Sequence, residues 1–176
     1  MVGSVSLKAT HLVVFMHVRL FPLLTNVTTD TIATGWKNMM GNKGAVKIEF
    51  TLARKHFLFI NCHLHSGQNG VQKRNNDVDQ IVQTFITGGN RSRKNQVVPV
   101  AMHNRADYLV LLGDLNYRVN GFKRSILQVM QQDRYEILLQ NDQLKIEMQL
   151  GNIPNYFKEG QIEFAPTFKR KPYVNN

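Results

Sequence analysis

Cysteine is almost missing from this chain. Cys62 is the single thiol among 176 residues, so neither a disulfide framework nor a cysteine-based zinc site is available. An intracellular, reducing setting is the simplest expectation. Long apolar runs are missing too. Nothing approaches the roughly 18 consecutive apolar residues of a membrane-spanning helix. The opening Met1-Val2-Gly3-Ser4 has neither the basic flank nor the apolar core of a secretory signal, and its alternation suits a strand. Internal repeats and low-complexity segments do not occur. Acidic residues are scarce: 12 Asp and Glu stand against 22 Lys and Arg, a formal charge of +10. That excess favours an anionic partner, whether nucleic acid, an acidic membrane surface or a phosphorylated small molecule. The plain alternative is that it only aids solubility.

What remains is ordinary material for one domain. Hydrophobic residues make up 43% and charged residues 19%, enough to bury a core at this length. Ser6 to Leu20 predicts one or two strands, interrupted at Phe21-Pro22-Leu23-Leu24 because proline cannot donate to a ladder. Asn26 to Trp36, dense in Thr, predicts another, and Gly41-Asn42-Lys43-Gly44 a turn. Ala45 to Leu52 alternates, with Val46, Ile48 and Phe50 on one side and Lys47, Glu49 and Thr51 on the other. This predicts a half-buried strand. His56 to Cys62 predicts a more central strand, joined to it through Ala53-Arg54-Lys55. The period then changes. Val71, Val78, Ile81, Val82 and Phe85 share a helical face, with Lys73, Arg74, Asp77 and Asp79 largely elsewhere, so a helix is expected over Val71 to Ile86. Gly88-Gly89 would end it. Asn90 to Arg105 reads as a basic loop and Asp107 to Leu112 as a buried strand. Phe122 to Gln132 and Tyr135 to Gln149 read as two short helices, with loop from Pro154 onward. This order predicts a layered α/β or α+β sandwich.

Four stretches carry chemistry. Gly113-Asp114-Leu115-Asn116 follows an apolar strand, and strand ends deliver side chains to the rim of a sheet. Asp and Asn one residue apart point the same way in extended backbone. The carboxylate can deprotonate a water and the amide can hold that water or the charge that develops. A plain turn is the competing account. Asn61-Cys62-His63-Leu64-His65 also ends an apolar strand. His63 can donate to a phosphate oxygen, and His63 with His65, two apart, could face a metal together. Gly41-Asn42-Lys43-Gly44 offers amides and a Lys to an anion, though its spacing is not that of a P-loop. Pro166-Thr167-Phe168-Lys169-Arg170-Lys171 sets three cations beside an aromatic, which by itself is a solvated basic tail.

Taken together and in order, these stretches resemble the catalytic domain of the inositol polyphosphate 5-phosphatases, including synaptojanin-like members. The family's W-x-G-D-x-N-Y-R stands as Leu111-Leu112-Gly113-Asp114-Leu115-Asn116-Tyr117-Arg118. Its T-G…G-N-K-G-A/G-V stands as Thr34-Gly35 and Gly41 to Val46. Its S-H-L/F-A-A-G-Q…R-N stands as Cys62-His63-Leu64-His65-Ser66-Gly67-Gln68, then Arg74-Asn75. Its D-Q-L stands as Asp142-Gln143-Leu144, and its F-x-P-T-Y-K as Phe164 to Lys169. The resemblance covers nearly the whole chain. It implies the fold shared with DNase I, a four-layered α/β (α+β) sandwich of two facing mixed β-sheets flanked by helices. It also implies hydrolysis of the 5-phosphate of phosphoinositides or soluble inositol polyphosphates, with Mg2+. By the same resemblance Asp114 would activate the attacking water, Asn116 would hold it and His63 would contact the scissile phosphate. Asn42 and Lys43 would lie near the other phosphates. Lys169 would meet the 4-phosphate, with Arg170 beside it, and Arg74 and Asn75 would belong to the substrate-binding set. The expected setting is cytoplasmic, in peripheral contact with acidic membranes, and nucleic acid is not the expected partner.

The chain also departs from the pattern. The family's metal-binding Glu lies upstream of the first strands seen here, and its W-C-D-R and S-D-H motifs follow the P-T-Y-K stretch. Residues 1–176 are therefore expected to be the central part of one catalytic domain, with an incomplete metal site and uncovered sheet edges. Phe168 replaces a Tyr, and Arg170-Lys171 replaces Tyr-Asp, which predicts tighter binding to 4-phosphorylated headgroups. Phe21-Pro22-Leu23-Leu24 is expected either to dip into lipid or to be a buried loop. Two other classes stay open: a catalytically inactive module that binds phosphoinositides, and a nuclease of the same fold.

Overall fold

The computed structural model describes residues 1–35, 42–87 and 106–167. Trp36, Gly41, Gly88-Gly89, the expected loop over 90–105 and the Phe168 to Lys171 cluster, with Lys169 and Arg170, lie outside the described residues. The alternation at the start of the chain folds into a hairpin. Strand β1 (Gly3–Leu7) pairs antiparallel with β2 (Thr10–Val14), from Gly3 opposite Val14 to Leu7 opposite Thr10. A second sheet holds β3 (Leu24–Ala33), β4 (Gly44–Leu52), β5 (Lys55–His63) and β6 (Tyr108–Asp114) in that order. The first two pairings are antiparallel and β5–β6 is parallel. The β4–β5 connection is a two-residue turn with both Ala53 (φ 48°) and Arg54 (φ 67°) left-handed, the primed geometry that matches strand twist. A parallel pair needs a long crossover, and helix α1 (Val71–Phe85) lies within it.

Register decides which side chains meet. Val46, Ile48 and Phe50 stand opposite Asn61, Phe59 and Phe57, so all six share one face. Val46, Ile48 and Phe50 form a core with Leu12, against which Val5, Leu7, Val14, Phe57 and Phe59 pack. The two sheets thus face each other across an apolar layer. On the opposite face Ala45, Leu58, Ile60 and Cys62 are buried, as are Val78, Ile81 and Phe85 of α1. The Lys47 ammonium sits 5.6 Å from the centre of the Phe85 ring. The helix therefore covers the side of β4 expected to be open. Lys47 and Glu49 are left partly buried and 3.1 Å apart. Burial pushes the Glu49 carboxyl up, but hydrogen bonds from Thr28 and Lys47 and the Lys47 charge hold it below its usual value.

Two further expectations are corrected. β6 is not a buried strand: Tyr108, Val110 and Leu112 are 52%, 40% and 37% exposed. Among the described residues it is the edge of its sheet, while the hairpin packs over β3, β4 and β5. Its apolar run hides a period of two, since Leu109 and Leu111 on the other face are the more buried. Phe21-Pro22-Leu23-Leu24 is not a buried loop either. It belongs to a short 3₁₀ helix, Val18–Leu23, and β3, with Phe21 37% and Leu23 50% exposed. Leu24 pairs with Leu52 and Ala33 with Gly44, so this helix stands at the end of the sheet remote from Gly44 and His63. Along eight strand steps that is about 27 Å. A bilayer touching it would meet the sheet's far end.

The chain divides into two compact units, Met1–Asn116 and Tyr117–Asn176. The second holds α2 (Lys123–Gln131), α3 (Tyr135–Gln140) and α4 (Gln143–Gln149). The single helix expected over Tyr135 to Gln149 is split because Asp142 caps α4, accepting the Lys145 amide at 2.9 Å. Gln143 is buried; its Oε1 accepts the Arg118 amide and its Nε2 donates to Asn120, each at 2.9 Å. The Asp142-Gln143-Leu144 motif thus fastens the 118–120 segment, and the anchoring runs through the Arg118 backbone.

Candidate active site

The parallel register of β5 and β6 ends with His63 opposite Asp114, and His63 Nε2 lies 3.7 Å from Asp114 Oδ2. Glycine makes this approach possible. Gly113 has φ +116°, and a Cβ there would lie 2.1 Å from the Cys62 carbonyl oxygen and 2.4 Å from Asn61 Oδ1. Past the strand ends the backbone is tied again. The Leu64 amide donates to the Asp114 carbonyl at 3.0 Å and Asn116 Nδ2 donates to the Leu64 carbonyl at 3.0 Å. The Asn116 amide donates to Asp114 Oδ1 at 3.0 Å. One carboxylate oxygen is therefore fixed by the backbone and the other turns toward His63. Asn116 itself is left-handed, φ 56°. This corrects the reason for pairing it with Asp114: the extended backbone ends at Asp114, and the Asn116 amide ties the rim together.

Lys43 completes the corner. Gly44 opens β4 opposite His63. Its φ is +147°, and a Cβ there would lie 2.0 Å from the Ile32 carbonyl oxygen, so the position demands glycine. Lys43, one residue earlier, places Nζ 2.6 Å from His63 Nε2. An ammonium has no lone pair, so Lys43 donates and His63 accepts, with the ring proton on Nδ1. Burial and then the Lys43 charge push the His63 pKa down, against a smaller opposing pull from Asp114. Asn42 is exposed, and its Oδ1 lies 2.9 Å from where a Cβ on Gly35 would sit. The Thr34-Gly35 and Asn42-Lys43 motifs therefore touch, with the Thr34 amide donating to the Lys43 carbonyl at 2.9 Å.

A depressed His63 has a sign. The native state holds fewer protons on it than the unfolded chain just below the ordinary histidine value of about 6.5. The stability it contributes is present above that value and is lost as pH falls through the lower, folded value. Lys43→Met is expected to raise the His63 midpoint, read from its imidazole resonances in an NMR titration. An unmoved midpoint would show that burial alone sets it.

Other expected site residues have different tasks. Arg74 is wholly buried, and its Nη1 donates to the carbonyls of His65 (3.0 Å) and Gly67 (2.8 Å). Asn75 is 4% exposed. The wholly buried Arg74 guanidinium thus positions the loop after His63. His63 and His65 do not face a common metal, because His65 Nδ1 bonds Asp77 Oδ2 at 2.6 Å while His63 meets Lys43. Sequence reasoning missed Asp77. Its signal was helical spacing, since Arg74, Asp77, Val78, Ile81 and Phe85 all lie on the buried side of α1. Cys62 donates its thiol to the Leu112 carbonyl at 3.3 Å, and burial pushes it up to about 12, which leaves it inert.

Magnesium takes oxygen donors in near-octahedral array, commonly one or two carboxylates with phosphate and water. Among the described residues no group of three His, Cys, Asp or Glu side chains comes together to hold a metal. At this corner Asp114 brings a carboxylate, but the nearest charge beside His63 is the Lys43 cation. The residues described do not fit a magnesium cage of protein ligands.

Residues 1–176 match the model of the Endonuclease/Exonuclease/phosphatase family 2. The chain is 34% identical over 166 residues to Synaptojanin-2 of Homo sapiens, covering 94% of this chain and 10% of that protein. It is 32% identical over 157 residues to Type IV inositol polyphosphate 5-phosphatase 9 of Arabidopsis thaliana, covering 87% and 36%. Among solved structures, the inositol polyphosphate 5-phosphatase domain of SPsynaptojanin, in complex with inositol (1,4)-bisphosphate and calcium ion, matches with a TM-score of 0.80 at 30% identity. That match covers 96% of this chain and 46% of the other. A Cimex nitrophorin matches with a TM-score of 0.60 at 19% identity and covers 88% of this chain and 48% of that one, a likeness of fold alone. The chain spans less than half the length of each of these relatives. It has the mixed α/β fold of two sheets with helices found in the synaptojanin phosphatase domain, and it belongs to the Endonuclease/Exonuclease/phosphatase family 2, with inositol polyphosphate 5-phosphatases as its homologues.

Proposed function

We propose that the corner formed by Lys43, His63 and Asp114 binds and hydrolyses the 5-phosphate of an inositol phosphate. The substrate is a phosphoinositide such as phosphatidylinositol 4,5-bisphosphate or a soluble inositol polyphosphate. The observation that carries this reading is the in-register meeting of a carboxylate and a neutral imidazole at the rim of a parallel strand pair, with an ammonium bonded to the imidazole. The solved relative supports it: inositol (1,4)-bisphosphate, which that protein holds, is what remains when the 5-phosphate leaves inositol 1,4,5-trisphosphate.

The chemistry needs charge neutralisation more than covalent help. A water oxygen forms a bond to phosphorus as the bond from phosphorus to the inositol oxygen breaks. The Asp114 carboxylate takes a proton from the water, and the inositol oxygen takes one from solvent. Lys43 offsets negative charge on the phosphoryl oxygens, and the His63 ring, fixed by its neighbours, sets the edge of the pocket. The setting that fits is cytoplasmic and peripheral to acidic membranes; no helix among the described residues is long and apolar enough to cross one.

A second reading is binding without hydrolysis. It is favoured by the donor set, since no three metal-ligating side chains converge among the described residues. One assay separates the two. The chain is incubated with inositol 1,4,5-trisphosphate, and with vesicles containing phosphatidylinositol 4,5-bisphosphate, and binding and phosphate release are both measured. Release is the expected result. Binding without release supports the second reading, and neither would overturn both. Lys169 and Arg170 enter here as contacts to the 4-phosphate. Replacing both by Ala is expected to weaken binding of 4-phosphorylated headgroups about tenfold, in line with lost charge-assisted hydrogen bonds. Unchanged affinity would remove them from the site.

A further inference from the structure

We infer that His65, its ring aimed by the buried carboxylate of Asp77, is an additional anion-binding residue beside the corner formed by Lys43, His63 and Asp114. This rests on the functional reading above. Two hydrogen bonds fix the residue on one oxygen: Asp77 Oδ2 accepts the His65 amide at 2.9 Å and ring Nδ1 at 2.6 Å. The Asp77 side chain is 2% exposed and that of His65 28%. A carboxylate accepts only, so the proton lies on Nδ1. Because Nδ1 abuts a nearly inaccessible oxygen, the accessible part of the ring is the edge that carries Nε2.

The backbone holds His65 near the corner. His65 follows His63 by two residues, at most about 7 Å of extended chain. Between them Leu64 is fully buried and tied through its amide to the Asp114 carbonyl and through its carbonyl to Asn116. Arg74 grips the His65 carbonyl from α1. The family pattern that the chain resembles carries alanine at this position, so the ring is an addition to that pattern. In the Nδ1–H form Nε2 is an acceptor; binding a phosphate oxygen there takes up one proton on Nε2, so that the ring lies between that oxygen and the Asp77 carboxylate.

The test uses the full chain and inositol 1,4,5-trisphosphate, with phosphatidylinositol 4,5-bisphosphate vesicles as a second arm that separates free from lipid-borne headgroups. His65→Ala is expected to bind about tenfold more weakly, the size of one hydrogen bond to a charged group. His65→Asn keeps a donor for Asp77 and loses Nε2, so it should remain folded and bind equally poorly. In the wild-type chain the His65 imidazole nitrogen resonances should move as inositol trisphosphate is added. If both variants bind like wild type while Lys43→Met does not, the inference is overturned and the functional reading stands. If the wild-type chain binds neither ligand, both fall.

Discussion

Asp114→Ala is expected to lower phosphate release from inositol 1,4,5-trisphosphate by about 10²–10⁴-fold, the usual contribution of a positioned general base. Binding should change far less, because Lys43 and His63 remain. Asp114→Asn is the sharper variant. It can still accept the Asn116 amide that holds Oδ1 at 3.0 Å, so the strand rim is kept and only the charge and basicity are lost. It should fall as far as the Ala variant while melting at the wild-type temperature. A loss in kcat with KM nearly unchanged would mark a group that acts in the transition state. Variants that release phosphate at the wild-type rate would remove Asp114 from the chemistry.

The largest effect on stability is expected at Gly113. Gly113→Ala puts a methyl group 2.1 Å from a backbone carbonyl at φ +116°, in a region closed to other residues, and neither strand can yield without parting β5 from β6. The expected loss is about 3–5 kcal/mol, or on the order of 10 °C in Tm for a domain of this size, measured by urea and thermal unfolding. Gly67→Ala is the control. Its φ is +101° but nothing lies within 4 Å of the new methyl, so it should show the backbone strain alone, about 1–3 kcal/mol. Equal losses at the two positions would mean that the close strand approach carries no weight.

Much of this was legible from sequence because period and punctuation are local. Alternation gave β4 and an apolar run gave β5, each nearly to the residue, and the helical period gave α1. What stayed hidden depends on neighbours far along the chain. The apolar run of β6 reads as burial, yet its exposure is set by where the hairpin packs. Arg74 and Asp77 look like solvent-side charges until α1 is laid on the sheet and their partners prove to be the loop after His63. At the site, motif order placed His63 and Asp114 at strand ends, but their adjacency needed the parallel register and the 2.6 Å contact with Lys43 needed the β4 pairing. Asn116 departs from strand alternation because it lies two residues beyond the end of β6 and is itself left-handed.

The most direct measurement is the identity of the product. The chain is incubated with inositol 1,4,5-trisphosphate, and the bisphosphate formed is resolved by chromatography against the three isomers. Inositol 1,4-bisphosphate is expected, with one equivalent of inorganic phosphate, both lost in Asp114→Asn. A different isomer, or no product from a chain that circular dichroism shows to be folded, would contradict it.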